Sequence, residues 1–415
     1  EPDAQPSSVP MDEDCLNLNV WTPAPDGAGR PVVVFFHGGG RLSGSNSDPN
    51  LDGAHLLGGL WNCVYVSVNY RLGLLGYLYL GEALGPDYAL SGSSGLMDQI
   101  LALEWVRDNI RAFGGDPARV TLLGQSGGAK SVADLMISPR TRGLFQGAIL
   151  MSGAGQCNRD AHTSACVTQQ FLAETGLTPQ QLLTLPAEDI IQAQARYGAN
   201  YKHFCGPMLD GYNLTLPAAE ALSTGLLDGV RVLIGHTHRE MQPASPALPV
   251  PKAERLHWLQ THFGLNSPHV IAVYEELLTR LPEYEAWGVL MTDYLYGHAA
   301  LATAELLAAR GIPTWVYRWD HPGPTLAQHG SDLPYLYRYP TGEPEADYDA
   351  LCRLLRDAWL SFLQKGDPRT PALPDWPPYT RVDNGRRAYL SLAPSCEPFD
   401  LRRHDQAMPL QEFRL

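Results

Sequence analysis

Ser126 is the residue whose surroundings most plainly point to chemistry. It sits in Gly124-Gln125-Ser126-Gly127-Gly128, a Gly-x-Ser-x-Gly. Residues 120–123, Val-Thr-Leu-Leu, read as a short buried strand before it. Residues 129–137 read as a helix after it, with Ala129, Val132, Ala133, Met136 and Ile137 at helical spacing. Such a pentapeptide also occurs by chance in loops, where it is only a small-residue turn. Between a strand and a helix it becomes a nucleophile elbow, in which the glycines give room to a crowded turn. The turn lifts Ser126 clear of the sheet, beside the unpaired amides of a helix start, which favour a developing negative charge.

A serine that accepts an acyl group needs a base, a group that orients the base, and donors for the oxyanion. His37-Gly38-Gly39-Gly40 follows an apolar run directly. The N–H groups of Gly39 and Gly40, with that of Gly127, would make a three-donor hole; the plain alternative is a glycine-rich turn. Of thirteen histidines, His329 lies ten residues beyond a late strand, in Gln328-His329-Gly330-Ser331-Asp332-Leu333-Pro334. His321 is the second choice, in a proline-bracketed turn. Glu240, six residues past the strand at 230–234, is the best-placed acid. Asp210, Asp228, Asp293 and Asp320 compete with it. His236 and His238 suggest a metal pair, but no third ligand stands out, and the reading assigns neither metal nor cofactor.

The elements that must hold these residues alternate. Strands are expected at 15–22, 31–36, 63–68, 120–123, 147–151, 230–234, 313–319 and 387–392. Helices are expected at 96–112, 129–137 and 349–365. Residues 257–309 read as mostly helical, broken at Pro268 and Pro282. Such alternation predicts an α/β fold with a mostly parallel sheet covered on both faces, and a site at the carboxyl ends of its strands. The chain order Ser126, Glu240, His329 is that of α/β-hydrolases. We read 1–415 as a single catalytic domain with a helical lobe at about 252–310.

Composition sets the outer limits. The chain has 415 residues, 44% of them hydrophobic, and a net charge of −14 without long single-sign runs. That argues for solubility and against nucleic acid as a partner. No apolar stretch approaches the roughly 18 residues of a membrane span. The chain begins at Glu1 rather than Met, with 1–10 a polar, proline-rich arm, so an N-terminal segment removed or left out is one alternative. Seven cysteines, at 15, 63, 157, 166, 205, 352 and 396, cannot all pair within the chain. Cys63 reads as a core residue, and Cys157 with Cys166 as either a short disulfide loop or free thiols. The compartment stays open. Asn213-Leu214-Thr215 matches the glycosylation pattern, which alone decides nothing.

The chain resembles the type-B carboxylesterases, the family that includes bacterial p-nitrobenzyl esterases and the cholinesterases. The resemblance rests on Glu13-Asp14-Cys15-Leu16-Asn17-Leu18-Asn19-Val20, His37 to Gly40, Asn69-Tyr70-Arg71-Leu72-Gly73 and Gly95-Leu96-Met97-Asp98-Gln99. It continues through 113–117, 124–129, Leu144-Phe145, Ser152-Gly153 and 329–335. It implies an α/β-hydrolase fold, with Ser126 as nucleophile, Glu240 as acid, His329 as base and the amides of Gly39, Gly40 and Gly127 as oxyanion hole. It also implies that Ser152 lies behind the triad and supports it. The expected reaction is hydrolysis of small carboxylic esters through an acyl-serine. Amide, carbamate or lactone hydrolysis is the alternative within enzymes, and a non-catalytic binding protein is the alternative outside them.

The sequence departs from that family at several points. Gln125 stands where Glu is usual, Gly127 where Ala is, Arg239-Glu240-Met241 where Asp-Glu-Gly is, and Arg41 where an aromatic follows the glycines. An inward Arg41 would favour substrates carrying a carboxylate. Its alternatives are solvent, or pairing with Asp48 or Asp52. The usual disulfide partner of Cys15 is absent, as is the lid loop before it. If the chain is complete, Cys15 is expected free or paired elsewhere and the site more open on that side. Activity is expected to fall as pH drops through about 6–7, where histidine takes a proton.

Overall fold

The computed structural model describes residues 11–57, 62–155, 158–198, 205–241, 251–321, 327–339, 346–380 and 385–398. The arm at 1–10 and Cys157 lie outside them. Nine strands form one sheet in the order β1-β3-β2-β4-β5-β6-β7-β8-β9. They are β1 (Leu18–Trp21), β2 (Arg30–Phe36), β3 (Val64–Val68), β4 (Gly115–Gln125), β5 (Gly147–Met151), β6 (Arg231–Thr237), β7 (Thr314–Trp319), β8 (Arg386–Leu390) and β9 (Ser395–Pro398). From β3 across to β8 every pairing is parallel; β1 and β9 close the two edges antiparallel.

The continuous apolar runs are strands buried on both faces. Along β2, Val32, Val34 and Phe36 enter one core, with Leu103 of helix Ser94–Asn109, Val132 of helix Gly127–Ile137 and Ala304 of helix His298–Ala309. Val33 and Phe35 enter the opposite core, where Leu355, Trp359 and Phe362 of helix Tyr348–Lys365 cover the sheet. The two-residue period of a strand forces this division.

Boundaries differ from the expectation where backbone geometry overrides side-chain pattern. The helix expected to reach residue 112 is α-helical only over Ser94–Asn109 and tightens to a 3₁₀ turn over Ile110–Phe113. Gly114, at φ 78°, turns its N–H back onto the carbonyls of Ile110 and Arg111. The chain then enters β4 at Gly115, earlier than the apolar run alone suggests. β9 and the helices Ala161–Thr175 and Ala187–Gly198 were not anticipated.

Helices Lys252–Phe263, Ser267–Leu278 and Glu283–Thr292 pack round a core of their own that includes Leu259, Val270, Tyr274 and Leu290. Pro268 and Pro282 fall at helix starts, where a missing N–H costs nothing. The chain then passes through a π-helical turn, Asp293–Gly297, into His298–Ala309. Cys15, Cys63, Cys166, Cys205, Cys352 and Cys396 are free thiols. Burial pushes the Cys63 thiol up to about 12, as suits a core residue. No helix among the described residues is long and apolar enough to cross a membrane.

Candidate active site

Ser126 stands at the end of β4 with φ 57° and ψ −121°, a conformation that L-residues rarely hold and that costs on the order of 1–3 kcal/mol. Its neighbours enforce the turn. The Ser126 amide donates to the Met151 carbonyl at 2.8 Å, and its carbonyl accepts from Lys130 N–H at 3.0 Å. A Cβ on Gly128 would lie 1.9 Å from the Phe36 carbonyl oxygen, and one on Gly124 2.3 Å from that of Gly128. Glycine is therefore required at both places.

Glu240 and His329 are brought together by strands that continue pairing beyond their ends. His238 N–H donates to Trp319 O at 2.9 Å and Arg239 N–H to Ala327 O at 3.1 Å. The second bond ties the residue before Glu240 to a residue two before His329. His329 Nδ1 lies 2.5 Å from Glu240 Oε2, and His329 Nε2 lies 2.7 Å from Ser126 Oγ. Glu240 Oε1 accepts from the Thr237 amide at 2.7 Å. The Glu240 carboxylate is fully buried, while the His329 side chain keeps 21% of its surface. Burial alone would raise the Glu240 pKa, but the charge of His329 and its hydrogen bond outweigh burial and hold the carboxyl below its ordinary value. Ser152, itself buried with φ 57°, lies against that carboxylate without reaching hydrogen-bond geometry.

The glycine loop after β2 faces the same serine. Gly39 and Gly40 take φ 95° and 63°. A Cβ on Gly127 would lie 2.8 Å from Gly40 N and 2.9 Å from Arg41 N, so the loop and the helix touch backbone to backbone. Among the described residues the amides of Gly39 and Gly40 donate to no other group. That of Gly127, first in its helix, has no intrahelical acceptor. His37 anchors the loop: it is stacked 4.6 Å from Tyr70, whose hydroxyl donates to the His37 carbonyl at 2.8 Å. Burial holds its imidazole down at about 4, so it stays neutral.

Arg41 neither points to solvent nor pairs with Asp48 or Asp52. Its side chain is buried and paired with Asp134 of helix Gly127–Ile137, and its guanidinium lies 5.7 Å from the Tyr77 ring centre. The charge is matched inside the protein by Asp134, a partner that the sequence reading did not offer. The competing residues are also spoken for. His321 is buried between Trp319 and Tyr335. Asp320 pairs with Arg318 at 2.5 Å and Asp210 caps the amides of Tyr212, Asn213 and Leu214. Asp228 pairs with Arg310 at 3.5 Å, and Asp293 belongs to the π-helical turn. His236 is buried against the Thr237 carbonyl at 2.8 Å and Arg387 Nη1 at 3.4 Å, and burial drives its pKa down to about 3. Asn213 is buried too, bonded to Asp210 and Arg140, so its amide is closed to modification in this fold.

Three neighbours of His329 were assigned no contact with it from the sequence. The Gln125 amide nitrogen lies 3.5 Å from His329 Nε2. The Tyr296 ring, on the π-helical turn, is 5.1 Å from that of His329. Asp332 is buried three residues after the histidine. Only Gln125 carried a signal, its place beside the serine; the others act through space.

A strained serine bonded to a histidine that a buried glutamate holds, at the carboxyl ends of a mostly parallel sheet, defines a serine hydrolase of the α/β-hydrolase fold. The chain belongs to the carboxylesterase family, whose model matches residues 1–410, and is a carboxylic ester hydrolase. It is 34% identical over 388 residues to the para-nitrobenzyl esterase of Bacillus subtilis (strain 168), covering 88% of this chain and 77% of that one. It is 34% identical over 402 residues to the phenmedipham hydrolase of Pseudarthrobacter oxydans, covering 90% and 78%. The crystal structure of a Geobacillus stearothermophilus carboxylesterase superposes with a TM-score of 0.86 at 35% identity, covering 95% of this chain and 85% of that one.

Proposed function

We propose that the protein hydrolyses small-molecule carboxylic esters with Ser126 as nucleophile, His329 as base and Glu240 as the acid that orients it. The supporting observation is His329, which bridges Ser126 Oγ at 2.7 Å and Glu240 Oε2 at 2.5 Å. Nδ1–H donates to Glu240, leaving the Nε2 lone pair toward the serine. Ser126 Oγ attacks the ester carbonyl as its proton passes to Nε2. The carbonyl oxygen becomes an anion facing the amides of Gly39, Gly40 and Gly127, each donor worth on the order of 3 kcal/mol in such a hole. The imidazolium, steadied by Glu240, protonates the departing alcohol. Water then attacks the acyl-serine by the same route in reverse roles. Ser152 backs Glu240. Residues 1–415 act as one catalytic unit, with the helices of about 252–310 as its lobe.

Ser126→Ala, His329→Ala and Glu240→Ala are each expected to lower kcat on a p-nitrophenyl ester by roughly 10³-fold or more. The double variants should fall little further, because the three act as one unit. If Asp320→Ala lost activity while Glu240→Ala kept it, Glu240 would not be the acid.

A further inference from the structure

The oxyanion loop and the nucleophile helix meet at bare backbone. The contact between Gly127 and the amides of Gly40 and Arg41 leaves no side chain between them to set their spacing. Arg41, the residue after the loop's last glycine, carries φ 62°, which glycine holds freely and arginine does not. Its carbonyl accepts from Gly73 N–H at 2.7 Å. Its side chain is 1% exposed and reaches Asp134, seven residues along the helix from Gly127 and 2% exposed. The other Asp134 oxygen accepts from Asn158 Nδ2 at 3.0 Å. One ion pair thus joins the strand-end loop that carries two of the proposed donors to the helix that carries the third and directly follows the serine.

We propose that Arg41 and Asp134 form a buried clamp that holds the oxyanion loop in register with the nucleophile helix, making both positioning residues for ester hydrolysis. This rests on the oxyanion hole described under the proposed function. An oxyanion exists only as the reaction proceeds, so the clamp acts on kcat and leaves ground-state binding nearly untouched. A displacement of about 1 Å between the donors and the forming anion can cost roughly 10²-fold. An uncompensated buried charge is worse than no pair at all, whereas a packed apolar pair of similar volume is well tolerated.

The test measures kcat, KM and the rate of phosphonylation by a fluorophosphonate, all at a temperature where circular dichroism shows each variant folded. Asp134→Asn is expected to lower kcat and the phosphonylation rate about 30-fold or more, with KM within threefold. The double variant Arg41→Met with Asp134→Leu should regain at least tenfold of that loss. Should Asp134→Asn fail to fold, Arg41→Lys, whose ammonium stops short of the guanidinium's reach, is expected to lower kcat about tenfold at unchanged KM. A folded Asp134→Asn or Arg41→Lys with wild-type kcat overturns the clamp, as does a loss confined to KM or a double variant no better than the single. Failure of the wild type to label at Ser126 would instead overturn the site itself.

Discussion

Two buried carboxyl groups flank His329, and their surroundings treat them in opposite ways. Glu240 is bonded to the imidazole and to the Thr237 amide and is held ionised. Asp332 is fully buried, and neither of its oxygens has a hydrogen-bond partner among the described residues. Burial first, then the charge of Glu240, pushes its carboxyl up to about 7. Its pKa is raised on folding, so the folded state binds the proton more tightly than the unfolded one. Stability from this group is therefore greatest below the unfolded value near 4 and is lost as pH rises toward 7, by roughly 4 kcal/mol at most. Asp332→Asn, which never ionises, is expected to gain Tm relative to wild type as pH goes from 5 to 8. A Tm difference that stays constant over that range would show Asp332 already ionised or otherwise satisfied. At this scale the sequence was legible where chemistry is local. Ser126 and His329 announce themselves through their neighbours in the chain. Arg41 did not reveal Asp134, which lies 93 positions away on the far side of the serine turn.

The nucleophile turn shows how an element enforces a residue. β4 enters beside β2, and helix Gly127–Ile137 leaves so close to it that the Gly128 position abuts the Phe36 carbonyl. A methyl group there has only backbone to displace. Gly128→Ala is accordingly expected to cost more than about 3 kcal/mol, seen as loss of soluble protein or a large fall in Tm. Wild-type stability in that variant would mean the helix approaches the sheet less closely than described. Strands and long helices were legible because burial imposes periods of two and 3.6 on apolar residues. The π-helical turn at Asp293–Gly297 was not, since one extra residue in a helical turn leaves no mark on side-chain type. Yet that turn sets Tyr296 against His329. β9, four residues with a proline, was too short and too polar to register.

For the molecule as a whole, two apolar cores on either side of one sheet fix where the loops converge. Ser126 follows β4, Glu240 follows β6, His329 follows β7 and the glycine loop follows β2, all at the carboxyl ends of parallel strands. The alternation of strand and helix made the fold legible from the sequence, and the family match over residues 1–410 agrees with that fold. What sequence could not supply was spacing across the site, because loop-to-helix distances depend on contacts such as that of Gly127 with Gly40. Reaction of the intact protein with a fluorophosphonate, followed by peptide mapping, tests the assembly directly. One adduct per chain is expected, on Ser126, forming in step with the loss of ester hydrolysis. An adduct on another serine, or inactivation without modification of Ser126, would contradict it.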